Sequence, residues 1–197
     1  MTYRLAADNN PSVDVSSQES LEKGFADFVR DFDGKLDICV PCAGINRNLG
    51  FLDTSFEEHQ KLIGVNVMGV YHTAQFAAKQ MISNRTKKGS IVLVASIASY
   101  MAIRSQMSSA YCGTKGAVRA MCPAIAAELV KYVSSHASQL INPVLLRHKQ
   151  GIRVNSISPG YVRTEMTAPV SPRNSLDKSA LILHSFHTCL RAGKMKL

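Results

Sequence analysis

An alternation of pattern along the chain limits the fold most. Leu36-Asp-Ile-Cys-Val40, Ser90-Ile-Val-Leu-Val-Ala95 and Ile152-Arg-Val-Asn-Ser-Ile157 are short apolar, β-branched runs of strand length. Val13-Asp-Val15 reads as the end of a further strand. Between these runs the apolar residues recur at helical spacing. A strand joined to the next by a helix must cross back over the sheet, so consecutive strands run parallel. The expected class is α/β, a doubly wound parallel sheet with helices on its faces.

The helical segments carry their own start and stop signals. Ser16 with Glu19 three residues later is a capping-box pattern. Leu21, Phe25, Phe28, Val29 and Phe32 then form one apolar face, and Asp33-Gly34 closes the helix. Ser55 with Glu58 opens a long helix that runs to about Ile82. Asn66 lies in its middle, in Gly64-Val-Asn-Val-Met-Gly69. An asparagine among apolar helix neighbours needs a hydrogen-bond partner. A last helix runs from about Ser109 to about Tyr132. Residues 133–150 lose periodicity and read as an insertion. Without them Tyr132 would join Gly151 in a short helix–turn–strand connection. The insertion begins with Val and ends with Gln, whose codons permit the two ends of a retained intron.

Four predicted strand ends bring chemistry to one edge of such a sheet, where α/β proteins bind ligands. They are Asp14, the small-residue turn Cys42-Ala43-Gly44, Ser96 and Pro159-Gly160. Tyr111 and Lys115 are four apart at the start of a helix and share a face. A free phenol titrates near ~10, and a neighbouring cation favours the phenolate. Tyr111 is therefore a candidate acid/base, and Ser96 a candidate hydrogen-bond donor to the same substrate oxygen.

Composition excludes several classes. No apolar run is long enough to span a membrane, and the N-terminal residues lack a signal-peptide apolar region. The net charge of +9 is concentrated in residues 147–197, which hold nine Lys/Arg and two Asp/Glu. That is a basic tail, with no recognisable nucleic-acid module. Five scattered cysteines read as reduced thiols of a cytoplasmic protein. Cys39 and Cys42 have Cys-x-x-Cys spacing, but no second pair follows at zinc spacing. Metal ligation is not expected.

Together these residues resemble the short-chain dehydrogenase/reductase family over roughly residues 13–132 and 151–167. The Ser96 and Tyr111 region is similar to fungal sorbose-reductase-like and mannitol-dehydrogenase-like members. The resemblance implies an incomplete Rossmann-like domain over residues 1–167 and a divergent basic tail over 168–197. It implies NAD or NADP as coenzyme and a small carbonyl or alcohol substrate, including sugars or polyols. It implies Tyr111 as acid/base, Lys115 as its tuner and ribose contact, Ser96 as oxygen stabiliser, and Asn66 as holder of a water linked to Lys115. Asp14 would meet the adenine. Cys42, Ala43 and Gly44 would line the ribose, and Pro159, Gly160, Val162 and Thr164 the nicotinamide end. It further implies a homo-oligomer built on the helices at 55–82 and 109–132.

Two departures temper that expectation. No Gly-rich phosphate turn precedes Asp14, so these 197 residues alone are expected to hold a dinucleotide weakly and to expose a sheet edge. The family's Asn-Ala-Gly turn reads Cys42-Ala43-Gly44. The alternative reading is a catalytically inactive remnant that acts by associating with full-length relatives.

Overall fold

The computed structural model describes residues 13–86, 88–102, 106–129 and 151–162. The insertion at 133–150, Thr164 and the tail lie outside the described residues.

Helix α1 spans Gln18–Asp31. Ser17 caps it, its hydroxyl accepting from the Ser20 N–H at 3.2 Å, one residue later than the Ser16–Glu19 pair predicts. Ser16 is engaged elsewhere. Asp14 Oδ1 accepts from the Ser16 N–H at 2.9 Å and from its hydroxyl at 2.7 Å. Among the described residues, Val13 and Asp14 belong to no strand, and Val15-Ser16 form a turn closed by the Ser17 N–H on the Asp14 carbonyl. Local side-chain bonds have taken the backbone groups that a ladder would use. Asp33 and Gly34, with φ of 52° and 64°, then reverse the chain after α1. The Gly34 carbonyl accepts from Gln80 and Asn84 and so ties this reversal to a later helix.

Strand β1 is Ile38–Cys39. Helix α2, Phe56–Ile63, starts where the sequence predicts, with the Ser55 hydroxyl accepting from the Glu58 N–H. It passes without a break through a π-helical segment, Gly64–Gly69, into α3, Val70–Ser83. Strand β2 is Ser90–Val94, followed by a short 3₁₀ turn at Ile97–Ser99. Helix α4 is Ser109–Leu129 and strand β3 is Arg153–Ile157.

The three strands lie in the order β1-β2-β3, all parallel. Ile38 pairs with Ser90, Ser90 with Arg153, and Val94 with Ile157. Bonds of the same kind continue past the strand ends: Ala95 N–H to Ile157 C=O, and Ile97 N–H to Pro159 C=O. This extension holds the Ser96 and Pro159 segments side by side.

Ile91, Leu93 and Val154 are fully buried in the sheet. Ala74, Ala77, Ala78 and Met81 of α3 and Val118, Cys122, Ala126 and Leu129 of α4 share their cluster. The alanines let α3 approach closely, with no side-chain entropy to lose. Helix α1 joins through Phe25, whose ring stacks on Phe76 at 5.2 Å. In contrast, Ile38 and Val40 at the β1 edge remain exposed, as do Val29 and Phe32 of the predicted α1 face. Among the described residues no helix is long and apolar enough to cross a membrane.

Leu93 sits at the centre of this packing. Leu93→Ala should lower unfolding stability by about 2–5 kcal/mol in urea titration, through lost burial and the cavity left behind. A change below about 1 kcal/mol would show that β2 is not the core of the sheet.

Candidate active site

Three parallel strands deliver three turns to one edge: Pro41-Cys42-Ala43-Gly44 after β1, Ser96 after β2 and Pro159-Gly160 after β3. Among the described residues Asp14 lies in no strand. Its turn nevertheless packs on the π-helical segment. A Cβ on Gly69 would fall 2.6 Å from Val15 Cγ2 and 3.1 Å from the Val15 carbonyl oxygen, so only glycine allows this approach.

The wider π turn carries Asn66 into the interior, where it is fully buried. Its Oδ1 accepts from the Ile45 N–H at 2.8 Å, and its Nδ2 donates to the Ile45 carbonyl at 2.9 Å. Nδ2 also donates to the Thr114 hydroxyl at 3.1 Å. Thr114 in turn donates to the Tyr111 carbonyl at 2.8 Å. Both amide N–H groups are thereby used. The side chain is a strut between the Gly44-Ile45 loop and α4. Any water at this point would depend on groups other than the Asn66 N–H donors.

Lys115 is only 4% exposed. Its Nζ donates to the Val94 carbonyl at 2.8 Å and lies 5.8 Å from the centre of the Tyr111 ring. A Cβ on Gly44 would stand 3.4 Å from Asn66 Oδ1 and 3.5 Å from Lys115 Nζ, so the backbone turn rests directly on both groups. Burial pulls the Lys115 pKa down to about 8, against a smaller opposing effect of Cys42. Burial also pushes the Tyr111 phenol above its ordinary value, and a hydrogen bond with Ser96 opposes that rise. The expected lowering of Tyr111 by Lys115 is therefore not what governs the phenol here. The ammonium is aimed at the Val94 carbonyl, and ring burial prevails.

Ser96 acts on the Tyr111 phenol and opposes the rise of its pKa, and its hydroxyl accepts from the Ala98 N–H at 3.2 Å. Arg119 lies over the Tyr100 ring at 4.2 Å and pins the segment after Ser96 to α4. Cys42 is exposed, whereas burial raises the Cys39 thiol to about 11. Cys39 thus stays a neutral thiol. Pro159 and Gly160 are half-buried beside Ser96, and Val162 is exposed. The structure brings together Asn66, Tyr111, Lys115, Ser96 and the turn at Gly44. Sequence reasoning missed Ile45, Thr114 and the Val94 carbonyl. The position of Thr114, three residues after Tyr111 and one before Lys115, was the available signal.

The family model described as short chain dehydrogenase matches residues 10–144. The chain belongs to that family. It is 32% identical over 182 residues to zerumbone synthase of Zingiber zerumbet, covering 91% of this chain and 59% of that protein. It is 31% identical over 166 residues to sorbose reductase sou1 of Schizosaccharomyces pombe, covering 84% and 54%. Its fold matches a gluconate 5-dehydrogenase from Burkholderia cenocepacia, solved in complex with NADP and tartrate. The TM-score is 0.64 at 28% identity, covering 79% of this chain and 52% of that one. The chain thus spans little more than half the length of these proteins.

Two tests address the geometry. Thr114→Val keeps the shape but leaves an Asn66 N–H buried without an acceptor. It should destabilise the protein by about 1–3 kcal/mol, with Thr114→Ser largely restoring it. Equal stability of the Val and wild-type proteins would contradict the strut. For Lys115, the folded pKa of about 8 lies below the ordinary 10.5, so the unfolded chain binds the extra proton between these values. The burial penalty is full below pH 8 and fades as pH rises towards 10.5, so this group makes stability rise with pH. Lys115→Met should remove that slope in denaturation measured from pH 7 to 10. A slope unchanged by the substitution would contradict it.

Proposed function

We propose that this chain carries the acid–base and coenzyme-ribose part of an oxidoreductase site that interconverts a small carbonyl compound and its alcohol with NADP or NAD. The observation behind this reading is the buried Lys115, held on the Val94 carbonyl at the end of β2 two residues before Ser96, with the Tyr111 ring 5.8 Å from its ammonium. Tyr111 gives a proton to the substrate oxygen during reduction and takes it back during oxidation. Ser96 holds the same oxygen. Its hydrogen bond favours the phenolate and opposes the effect of burial.

The residues present fit a nicotinamide dinucleotide. Lys115 spends one N–H on Val94, and its other two donors suit the vicinal hydroxyls of a ribose. Ala43 and Gly44 are small, and Gly44 rests on Lys115, so backbone can lie close to that sugar. Cys42 borders the same turn. Pro159, Gly160, Val162 and Thr164 would take the nicotinamide end, and Asp14 the adenine. When bound, the coenzyme supplies the hydride. Asn66 acts through Ile45 and Thr114 by fixing the ribose turn relative to Tyr111. We further propose pairing of two copies through the long helices, where Ile63, Met68 and Tyr71 stand exposed on the α2–α3 run.

The test is coenzyme-dependent carbonyl reduction. It is best measured on a fusion that places a relative's strand, Gly-rich turn and helix before residue 13. Tyr111→Phe should lower turnover by about 10²–10⁴-fold. Turnover near that of wild type would remove Tyr111 from the role. An active-site fusion that binds coenzyme yet reduces no carbonyl would overturn the proposal.

A further inference from the structure

A cleft of about 480 Å³ opens at the first turn of α4. Ser108 and Cys112, which flank Tyr111 in the chain, form part of its wall, and Ala102 from the segment after Ser96 forms another part. The opposite wall is Gly50, Phe51 and Leu52 from the loop before α2. A cleft of this size suits a small ligand.

Its most prominent side chains are apolar and face water. Phe51 is 80% exposed, Leu52 92% and Met107 65%. They do not stand out because the loop is loose. The Gly50 carbonyl accepts from the Asp53 N–H at 3.1 Å, the Thr54 N–H at 3.0 Å and the Thr54 hydroxyl at 2.8 Å. These three bonds fix the loop in a shape that presents Phe51 and Leu52. Met107 reaches across, its sulfur 3.5 Å from where a Gly50 Cβ would stand. A methionine at such a place adapts to varied apolar shapes. Gln106 and Ser109 also border the cleft, but its wall is mainly apolar, and two of its other polar groups are turned to the protein. Asp53 Oδ2 folds back on Gly50, and Ser108 is buried with its hydroxyl 3.8 Å from the Cys112 sulfur. Every hydroxyl of a sugar brought against Phe51, Leu52 and Met107 would lose a water partner without gaining another.

We propose that this cleft takes the apolar body of an alkyl or alicyclic ketone or secondary alcohol, and not a sugar or polyol. The proposal rests on Tyr111 and Ser96 as the reacting pair. It narrows the substrate class that the resemblance to sorbose reductase implied. The ligand's oxygen lies at Tyr111 and Ser96, and its hydrocarbon part covers Leu52, Phe51 and Met107.

The test is methyl NMR on the 197-residue protein labelled at the methionine methyls, with Met107 assigned by Met107→Leu. Met81, buried in the core, reports folding, and Met68, exposed on the long helix, reports non-specific contact. Titration with methyl ketones from 2-hexanone to 2-nonanone should shift Met107 saturably. Binding should tighten by about fourfold per added methylene until the cleft is filled. L-Sorbose should leave Met107 unmoved. Leu52→Asp should weaken 2-nonanone by about tenfold or more. The proposal is overturned if Met107 does not respond to 2-nonanone while Met81 shows a folded core. It is also overturned if L-sorbose shifts Met107 equally, or if Met68 moves as much as Met107. The titration needs no coenzyme, so its failure leaves the redox reading standing. Ketones that bind here but are never reduced by the coenzyme-competent fusion would instead remove the redox reading.

Discussion

The hydrogen bond from Lys115 Nζ to the Val94 carbonyl holds the site together. It joins the first turns of α4 to the last residue of β2. Because Tyr111 lies one helical turn before Lys115, fixing the lysine also fixes the tyrosine, whose ring centre is 5.8 Å from the ammonium. The bond also places a cation in the interior, where charge is costly. That cost is visible in the lysine's pKa of about 8. An ammonium with two further donors, held against the Gly44 turn, is poised for a ligand rich in hydroxyl oxygens. A lysine retained only for packing would be better replaced by an apolar residue of similar size.

A second strut depends on the helix geometry. A regular α-helix through Asn66 would continue the i+4 ladder and turn this side chain by a different amount. The π-helical turn shifts the register and sets the amide between Ile45 and Thr114. Gly69 at its end leaves room for Val15 to lie against the same segment. Backbone from before α1, the loop after β1 and the start of α4 thus meet on one six-residue stretch.

The sheet and helices were legible in the sequence because they rest on periodicity. Ser90–Val94 and Arg153–Ile157 fall inside their predicted runs, and the Ser55 cap lies where the serine–glutamate spacing puts it. The turn at Val15-Ser16, where the pattern predicts the end of a strand, was not legible. An Asp-x-Ser pattern can hydrogen-bond its own backbone, and two valines do not outweigh that. The sequence also shows the Tyr111–Lys115 spacing but not the direction of the ammonium, which depends on a strand distant in the chain. For the same reason Ile45 and Thr114 could not be named as partners of Asn66. Their bonds span 21 and 48 residues of sequence. The apolar cleft likewise exists only once the loop at 50–54 is folded beside α4.

The central claim is that Tyr111, Ser96 and Lys115 form the proton-handling face of a hydride-transfer site. Its most direct measurement follows the hydride itself. NADPH carrying deuterium at the transferable C4 position would be incubated with a methyl ketone and the fusion that supplies the phosphate-binding segment. The account predicts deuterium on the carbinol carbon of the alcohol, formed by the wild-type protein and lost with Tyr111→Phe. Label that never reaches the alcohol carbon, from a protein that binds both NADPH and ketone, would contradict it.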